Sequence, residues 1–359
     1  MNKNFIYNLS DNESINGISE WQSPSNIALV KYWGKKPNQI PMNPSLSLTL
    51  SNCYSKARIS YQSKNVKDNN FDFSLLFEGK REISFEDKLF QFFNRIKCYC
   101  PYLLNLKLII ETSNSFPHSS GIASSASSYS ALSLSIMDIE KHLNPEIDDE
   151  YFFKKASFLA RLGSGSACRS IMGPISIWGF SELFSESNDL YANIYPNKVN
   201  SIFKNINDTV LLVDKGKKEV SSSFGHDLMN GHSFSSDRIK QAHNNLKQLN
   251  KALENGNYDL FIKIVEIEAL SLHAMMMTSQ PYFILIKPNT LKIINEVWKY
   301  RKENKSKICF TLDAGANIHL LYPENEYDKI QNFISSNLLS YCENGEFIND
   351  KIGNGPNKL

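Results

Sequence analysis

The sequence predicts a mixed α and β fold in two domains. Short alternating apolar runs, separated by Asn, Ser, Lys and Asp, occupy the early part of the chain and are typical of strands. Longer stretches with apolar residues at helical spacing follow them. A chain of 359 residues, 42% of them hydrophobic, can bury more than one core. An acidic, polar stretch at residues 181–207 marks a boundary between the two domains.

Composition excludes several classes of protein. Lys and Arg number 39 against 37 Asp and Glu, a formal net charge of +2, which is too small for a nucleic-acid or membrane-surface protein. The N-terminus lacks a signal-like apolar segment, and no apolar run approaches the roughly 18 residues of a membrane span. The six cysteines show neither Cys-x-x-Cys nor zinc-type spacing, so free thiols in a reducing compartment are expected. We therefore expect a soluble, cytoplasmic protein.

The first part of the chain is predicted to be rich in strands. Residues 1–18 are polar, and we expect a flexible lead-in outside the core. The apolar strand that follows ends in an aromatic and cationic cluster at residues 31–36. The remaining patterns predict antiparallel strands at 46–50, 54–62 and 71–77, a core-packing helix at 83–96 and a half-buried strand at 106–112.

Lys31 and Lys35 lie in this aromatic and cationic cluster. Solvated lysines at the end of a surface strand are one explanation. However, Tyr32 and Trp33 beside them are poor solvent-facing neighbours, and lysines held against aromatic rings can bind an anionic ligand. Both interpretations remain open from these residues alone.

Residues 116–126 read Phe-Pro-His-Ser-Ser-Gly-Ile-Ala-Ser-Ser-Ala and precede a predicted helix at 122–139. Gly121 allows backbone N–H groups to approach an anion closely, and the first turn of the helix adds unpaired N–H donors. Ser124 and Ser125 supply hydroxyls where a phosphate oxygen or its magnesium would lie. The segment therefore predicts a phosphate-binding loop, although a Ser-rich loop capping an ordinary helix has the same pattern. It is neither a Walker A nor a dinucleotide-binding motif.

A second segment rich in small residues lies at 163–173, after a predicted helix at 148–161. It is expected to lead into a further helix. Its unpaired N–H groups, the hydroxyls of Ser164 and Ser166 and the guanidinium of Arg169 suit an oxyanion or a carboxylate. A tight helix-packing turn, in which Arg169 pairs with a structural acid, is the alternative. Neither serine stands in the Gly-x-Ser-x-Gly context of a serine hydrolase.

The second half of the chain alternates strands and helices. His273 and the methionines after it are interpreted as core residues. A short strand is predicted at 175–180 and a buried strand at 209–214. Helices are predicted at 235–255, 258–277 and 289–302, and two strands joined by a turn at 307–322.

Asp313 ends the first strand of that last pair. An aspartate before Ala-Gly commonly closes a turn by accepting backbone N–H groups. It can also be a general base projected into a cleft. The residues around it do not decide between these roles.

Taken together, the stretches resemble the diphosphomevalonate decarboxylases, which belong to the small-molecule (GHMP) kinase superfamily with galactokinase, homoserine kinase and mevalonate kinase. The matches follow the family order and spacing over nearly the whole chain. They comprise residues 26–35, 44–47, 117–126 and 163–170, and Asp313-Ala-Gly with Asn317.

The resemblance implies an α+β, two-domain GHMP-kinase-like fold with the active site in the cleft between the domains. It also implies a homodimer. The expected divisions are a lead-in at 1–18, an N-terminal domain at 19–193 with its phosphate loop at 117–126, a C-terminal domain at 194–340, and a tail at 341–359 that packs back on the N-terminal domain.

The activity implied by the resemblance is ATP-dependent decarboxylation of mevalonate 5-diphosphate. The products are isopentenyl diphosphate, ADP, phosphate and CO2, in the mevalonate pathway of isoprenoid biosynthesis. In this family pattern Asp313 accepts or orients the C3 hydroxyl proton, and Lys31 holds Asp313 and neutralises charge on the transferred group. Arg169 clamps the C1 carboxylate alongside Ser164.

The binding residues are implied in the same way. Tyr32, Lys35 and Ser166 hold the diphosphate end of the substrate. Magnesium is carried mostly by the ATP phosphates, with Ser125 as the protein ligand. The ATP phosphates are expected on Ser119, Ser120, Gly121, Ile122, Ala123, Ser124 and Ser125.

Three alternatives accompany this interpretation: a mevalonate 5-phosphate decarboxylase, a mevalonate 3-kinase and a catalytically silent nucleotide-binding regulator. Comparison of substrates separates the first from the diphosphate enzyme. A silent regulator predicts a missing catalytic group, whereas Lys31, Arg169 and Asp313 are all present. Their retention also argues against a kinase that does not decarboxylate.

Overall fold

The structure is a computed structural model that describes residues 3–8, 14–65, 68–117, 122–216 and 222–359. Within these ranges the strands are β1 (Asn16–Val30), β2 (Lys35–Lys36), β3 (Ile40–Pro41), β4 (Ser45–Ser63), β5 (Asp72–Phe77), β6 (Lys80–Arg81), β7 (Leu106–Asn114), β8 (Ile175–Trp178), β9 (Asn193–Ile194), β10 (Ile206–Leu211), β11 (Cys309–Thr311), β12 (Ile318–Pro323), β13 (Phe347–Lys351) and β14 (Asn357–Lys358).

The helices within the same ranges include several that match the predicted segments closely. They are α1 (Ile83–Ile96), α2 (Ser124–Leu143), α3 (Asp149–Gly163), α4 (Ser222–Asp227), α5 (Ser235–Asn255), α6 (Tyr258–Met277), α7 (Pro288–Asn304) and α8 (Tyr327–Phe333).

The first sheet is built on the long antiparallel pair β1 and β4, which runs from Asn16 opposite Gln62 to Val30 opposite Leu46. Its strand order is β14-β1-β4-β7-β5-β6, and β8 pairs with the first residues of β4, 45–48, and with β9. The predicted strands at 46–50 and 54–62 are thus one strand. The prediction of antiparallel pairing holds for β5 with β6 but is wrong for β5 with β7. These two strands are parallel, and α1 supplies the crossover connection that parallel strands need.

Helices α2 and α3 cover this sheet, and small side chains allow α2 to lie close to it. Ser130 Oγ lies 2.6 Å from Ser23 Oγ of β1, and Ser127 Oγ lies 2.6 Å from Ser55 Oγ of β4. All four serines are buried. Their hydroxyls satisfy each other, as buried polar groups must. The Ser- and Ala-rich composition of α2 is therefore a packing feature beyond its first turn.

The second sheet has the order β11-β12-β10-β13, and α5, α6 and α7 belong to this half of the chain. The chain then returns to the first sheet, where β14 pairs with β1 and places Lys358 opposite Trp21. The C-terminal residues therefore contribute one strand to each sheet.

A buried carboxylate joins the two sheets. Asp350 of β13 accepts hydrogen bonds from the backbone N–H groups of Ser51 and Asn52 at 2.8 Å each and of Cys53 at 2.7 Å, all in β4. Hydrogen bonds to a carboxylate are stronger than those between neutral groups. This contact fixes the second sheet against the middle of β4.

The N-terminal residues that the structure describes pack against the first domain, whereas the sequence predicts a lead-in outside the core. Phe5 is only 5% exposed and packs against Tyr151, Phe158 and Tyr191. Tyr7 donates its backbone N–H to the carbonyl of Tyr99 at 3.2 Å. An aromatic side chain buries enough area to hold even a short polar segment against the domain.

The segment after α3 also differs from the prediction. It forms a short 3₁₀ helix at Gly165–Ser170 and not the start of a longer helix. Gly165 allows this segment to approach Tyr32, because a Cβ at this position would lie 2.7 Å from the Tyr32 hydroxyl. The remaining predicted helices and the buried strand at β10 are confirmed, with ends shifted by a few residues.

No helix in the described ranges is both long and apolar enough to cross a membrane. All six cysteines are free thiols, and five of them are buried.

Candidate active site

Lys31 and Asp313 form an ion pair where the two halves of the molecule meet. Lys31 follows β1, and Asp313 follows β11 of the second sheet. Lys31 Nζ donates to Asp313 Oδ1 at 2.9 Å. The Lys31 side chain is 2% exposed, whereas that of Asp313 is 29% exposed. Asp313 Oδ2 has no hydrogen-bond partner within the described ranges, so one carboxylate oxygen remains available.

The electrostatic setting keeps Asp313 ionised. Burial alone would raise its pKa, but the charge and hydrogen bond of Lys31, together with His319 and Arg169, hold the pKa of Asp313 below its ordinary value. Burial lowers the pKa of Lys31, and the opposing charge of Asp313 limits that shift. The pair can therefore hold a carboxylate that accepts a proton beside an ammonium that donates hydrogen bonds.

Arg169 lies in the 3₁₀ helix on the first-sheet side of the same site. Its Nη1 donates to Ser45 Oγ at 2.6 Å and its Nε to Asn26 Oδ1 at 3.3 Å. Its guanidinium lies 5.9 Å from the centre of the Trp178 ring. No hydrogen bond from Nη2 to another group is found within the described ranges. A guanidinium that is held in place but keeps Nη2 unoccupied is suited to bind a planar carboxylate.

The turn after Lys31 depends on Gly34, which has a φ of +91°. A Cβ here would lie 2.6 Å from Met42 Sδ, so glycine is needed for both conformation and space. Gly34 N–H donates to Nδ1 of His226 at 3.0 Å. The turn thereby brings the segment before α5 against the end of β1.

His226 is the main site residue that the sequence analysis missed. Its ring stacks 4.2 Å from that of Tyr32 and 4.7 Å from that of Trp33. Burial, then the charges of Lys35 and Arg169, lower its pKa to about 3, so the ring is neutral. Because Nδ1 accepts from Gly34, the proton is assigned to Nε2. A lone histidine in a segment of Gly, Asp and Met gives little signal from sequence.

The other predicted substrate-binding residues lie around this stack. Tyr32 is buried and packs on Trp178, and its hydroxyl has no hydrogen-bond partner within the described ranges. Lys35 Nζ lies 3.7 Å from Asp227 Oδ1. A cavity of about 440 Å³ adjoins Lys35 and is lined also by Lys36, Arg95 and Asp227. Lys35, Lys36 and Arg95 outnumber Asp227 in its lining, so we call it the cationic cavity.

The start of α2 lies next to the segment that carries Arg169. Ser125 Oγ lies 3.2 Å from Ser164 Oγ. Ala123 precedes the helix with a φ of +46°, and Ile122 is buried. Ser119, Ser120 and Gly121 of the predicted phosphate loop lie outside the described residues. The described part, Ile122 to Ser125, places the beginning of a helix beside the predicted carboxylate site.

The two remaining predicted residues are partly buried. Ser164 precedes the 3₁₀ helix and contacts Ser125, whereas Ser166 lies within it. The backbone carbonyl of Ser166 accepts from Asn26 Nδ2 at 3.2 Å. Asn26 therefore binds the 3₁₀ helix through this carbonyl and through Arg169.

No metal-binding group of three or more His, Cys, Asp or Glu side chains occurs in the part of the chain that the structure describes. The described polar groups include a lysine–aspartate pair, an arginine fork, serine hydroxyls and a helix N-terminus. They suit anionic substrates.

These features define a class of protein: a two-domain α+β fold of the GHMP-kinase type, with a polar site in the cleft between the domains. Family models agree with that class. Residues 23–189 match the diphosphomevalonate decarboxylase-like N-terminal domain, and residues 209–356 match the mevalonate 5-diphosphate decarboxylase C-terminal domain.

Individual proteins show the same similarity. The diphosphomevalonate decarboxylase of Ganoderma lucidum is 27% identical over 348 residues, which cover 92% of this chain and 84% of that protein. The phosphomevalonate decarboxylase of Haloferax volcanii is 23% identical over 312 residues, covering 86% and 89%. A solved structure described as MDDEF in complex with MVAPP, AMPPCP and magnesium superposes with a TM-score of 0.81 at 26% identity, covering 96% of this chain and 99% of that one. The chain belongs to the diphosphomevalonate decarboxylase family.

Proposed function

We propose that this protein catalyses the ATP-dependent decarboxylation of mevalonate 5-diphosphate to isopentenyl diphosphate, with ADP, phosphate and CO2 as the other products. The observation that carries the proposal is the ion pair between Lys31 and Asp313 at 2.9 Å, which leaves one carboxylate oxygen free beside the Arg169 fork. Membership of the family and the substrate named for the relatives support the same reaction.

The reaction begins at the tertiary C3 hydroxyl of the substrate. Asp313, ionised by its environment, accepts the hydroxyl proton as the C3 oxygen takes the γ-phosphoryl group of ATP. Lys31 holds Asp313 in place and offsets negative charge on the transferred group. Phosphorylation converts the C3 oxygen into a good leaving group.

Decarboxylation follows from the same arrangement. The C3–O bond breaks with release of phosphate, and the electrons of the C1–C2 bond form the C2=C3 double bond as CO2 departs. Arg169, with Ser164 beside it, binds the C1 carboxylate and orients the C1–C2 bond for this step. Because Ser45 and Asn26 hold the guanidinium, little reorganisation is needed when the carboxylate binds.

Tyr32, Lys35 and Ser166 bind the diphosphate end of the substrate in this proposal. The buried, unpaired Tyr32 hydroxyl and the cationic cavity beside Lys35 support that role. A buried phenol is costly without a hydrogen-bond partner, and a phosphate oxygen would supply one.

ATP and Mg²⁺ are the proposed co-substrate and cofactor. One related complex contains AMPPCP and magnesium. The start of α2 offers the N–H groups and hydroxyls of Ser124 and Ser125, which suit phosphate oxygens, whereas the N–H groups of Ala126 and Ser127 donate to the Ala123 carbonyl. The proposed phosphate loop also includes Ser119, Ser120, Gly121, Ile122 and Ala123. Since no carboxylate cluster for a metal occurs among the described residues, Mg²⁺ is carried mainly by the phosphates, with Ser125 as the protein ligand. The ion supplies charge neutralisation when bound.

Substrate comparison tests the proposed reaction. Purified protein is incubated with ATP and magnesium and with either mevalonate 5-diphosphate or mevalonate 5-phosphate, and ADP and CO2 are measured together. We expect equal amounts of ADP and CO2 from the diphosphate alone. ADP without CO2 would identify a 3-kinase, and no ADP from either substrate would favour a silent nucleotide-binding protein.

The monophosphate is the second candidate substrate, since one curated relative is a phosphomevalonate decarboxylase. The cationic cavity beside Lys35 favours the diphosphate because it offers room and charge for a second phosphate. Turnover of the monophosphate alone would reverse this assignment.

We further propose a cytoplasmic homodimer. The six free thiols support a reducing compartment. The exposed side chains of Phe180, Leu183 and Ile194 provide apolar surface for an interface. Sedimentation equilibrium with the variant Phe180→Asp checks the oligomer, and a purely monomeric wild-type protein would contradict it.

The predicted division between residues 193 and 194 falls within β9, both residues of which pair with β8 of the first sheet, so we place the boundary after residue 194. The proposed tail, residues 341–359, packs back on the N-terminal domain, and the pairing of β14 with β1 supports that arrangement. Limited proteolysis tests this division, which predicts early cleavage between residues 194 and 205.

A further inference from the structure

Helix α6 contacts the backbone of both members of the Lys31–Asp313 pair. Glu268 Oε2 accepts the N–H of Lys31 at 2.8 Å, and the Nε2 atom of His273 lies 3.2 Å from the backbone carbonyl of Asp313. The two residues are 273 − 268 = 5 positions apart, about 7.5 Å along the helix axis. One rigid element thus touches residues from both halves of the molecule.

The contact to Lys31 is part of a fully buried network. Glu268 also binds Arg238 through two hydrogen bonds, at 3.0 and 2.5 Å, and accepts from Asn245 Nδ2 at 2.6 Å. On the other side of the residue, the Lys31 carbonyl accepts from Asn43 Nδ2 at 2.9 Å. Both backbone polar groups of Lys31 are therefore held by side chains.

The contact to Asp313 comes from the buried side chain of His273. His273 is buried, and burial lowers its pKa to about 4. A neutral ring that faces a carbonyl oxygen through Nε2 carries its proton on that atom, so His273 donates to Asp313. This hydrogen bond restrains the backbone of Asp313 in the turn after β11.

We propose that Glu268 and His273 are positioning residues, and that α6 sets the separation between Lys31 Nζ and the Asp313 carboxylate. The proposal rests on the proposed function for its catalytic consequence, because it assumes that this pair acts on the substrate. Both side chains are buried, and both contact the backbone of the pair, so their proposed role is to position it. Their effect is on kcat, since reacting groups misplaced by about 1 Å can lose a hundredfold in rate.

The first test compares His273→Leu with His273→Gln. Leu removes the donor, and we expect kcat to fall about tenfold or more with KM for both substrates within twofold. Gln can place an N–H near the position of Nε2 and should restore most of kcat. His232→Leu is the matched control, because His232 Nε2 also contacts a backbone carbonyl, that of Met275 at 3.0 Å. Equal kcat values in His273→Leu and wild type would overturn the proposal.

The second test uses a pair of glutamates on the same helix. In Glu268→Gln the amide NH₂ cannot accept a hydrogen bond, so Lys31 or Arg238 loses an acceptor, and kcat is expected to fall about tenfold. Glu266→Gln is the control, because Glu266 binds Arg301 and Trp298 and does not contact the pair. Similar kcat losses in both variants would indicate general destabilisation and contradict a positioning role.

Crystal structures of these variants separate this proposal from the proposed function. The Lys31 Nζ to Asp313 Oδ1 distance is 2.9 Å and should exceed about 3.5 Å in His273→Leu but not in His273→Gln or His232→Leu. An unchanged distance in His273→Leu would refute positioning whatever the kinetics. If wild-type protein fails to turn over the diphosphate while the distance lengthens as expected, the proposed function fails and the positioning of the pair stands.

Discussion

Two lysine–carboxylate pairs with a buried lysine differ in how completely the carboxylate is enclosed. Lys155 and Glu140 join α3 to α2, and their side chains are 0% and 1% exposed. Lys155 Nζ contacts both oxygens of Glu140, at 2.7 and 2.6 Å, and donates to the Tyr99 carbonyl at 3.1 Å. Lys31 and Asp313 share a single hydrogen bond, and the carboxylate is 29% exposed.

The difference separates a structural pair from a candidate catalytic one. Every oxygen of Glu140 is occupied, so that pair can only contribute to the packing of its domain. Asp313 keeps an oxygen free at the cleft, and its lysine comes from the other half of the molecule. A carboxylate oxygen without a hydrogen-bond partner, next to a buried cation, is expected at a substrate-binding site. It is not expected in a closed domain core.

The largest expected effect is on Asp313. Asp313→Asn should lower kcat by about 10²–10⁴-fold, because an amide cannot accept the hydroxyl proton. Binding of ATP and of the substrate, measured by calorimetry, should remain largely intact. A variant with near-normal turnover would return Asp313 to the role of a turn-closing residue.

The corresponding substitution in the Lys155–Glu140 pair should reduce stability and leave activity unchanged. Glu140→Gln leaves the buried ammonium of Lys155 without its counter-ion, and the free energy of unfolding should fall by about 3–5 kcal/mol. Urea denaturation measures this loss. At a temperature where the variant is folded, kcat should equal that of wild type, and a selective loss of kcat would show that the two pairs are not distinct.

His226 should contribute to binding and less to rate. Its ring lies 4.2 Å from that of Tyr32, one of the proposed diphosphate-binding residues, so His226→Leu should raise KM for the substrate about tenfold, or ~1.4 kcal/mol, with kcat within about twofold. KM for ATP serves as the internal control. An unchanged substrate KM would assign His226 to packing of the Tyr32 and Trp33 rings only.

The smallest effect is a shift in pH dependence. Burial lowers the pKa of Lys31, so its positive charge is lost as pH rises through a value below the ordinary 10.5. Activity should therefore decline on the alkaline side before free lysine would titrate. Burial raises the pKa of Tyr32, so ionisation of that phenol does not cause the decline in activity at alkaline pH. A kcat profile that stays flat beyond pH 10.5 would contradict the required ammonium.

Much of the fold could be predicted from periodicity. Apolar spacing gave α1, α5 and α6 with their observed ends, and the acidic N-terminal turn of α3 is capped by Asp148, which accepts from Tyr151 N–H at 2.7 Å. The parallel pairing of β5 could not be predicted, because a strand pattern is the same in either direction. The burial of Phe5 was missed for another reason: one aromatic residue in a polar segment produces no period.

The candidate site divides in a similar way. Lys31, Arg169 and Asp313 lie in short stretches with a distinctive local pattern, which made them visible in the sequence. Glu268 and His273 occupy ordinary helical positions in α6, and His226 stands alone before α5. Their contacts join residues far apart in the chain, as in the bond between Glu268 and Lys31. Only the folded arrangement reveals such residues.

The most direct test of the central claim is a crystal structure of the protein with mevalonate 5-diphosphate, AMPPCP and magnesium. We expect the C3 hydroxyl within hydrogen-bond distance of Asp313 Oδ2 and the C1 carboxylate on the guanidinium of Arg169, with the Lys31–Asp313 pair intact. A substrate bound with its C3 hydroxyl away from Asp313, in a closed complex with the nucleotide present, would contradict it.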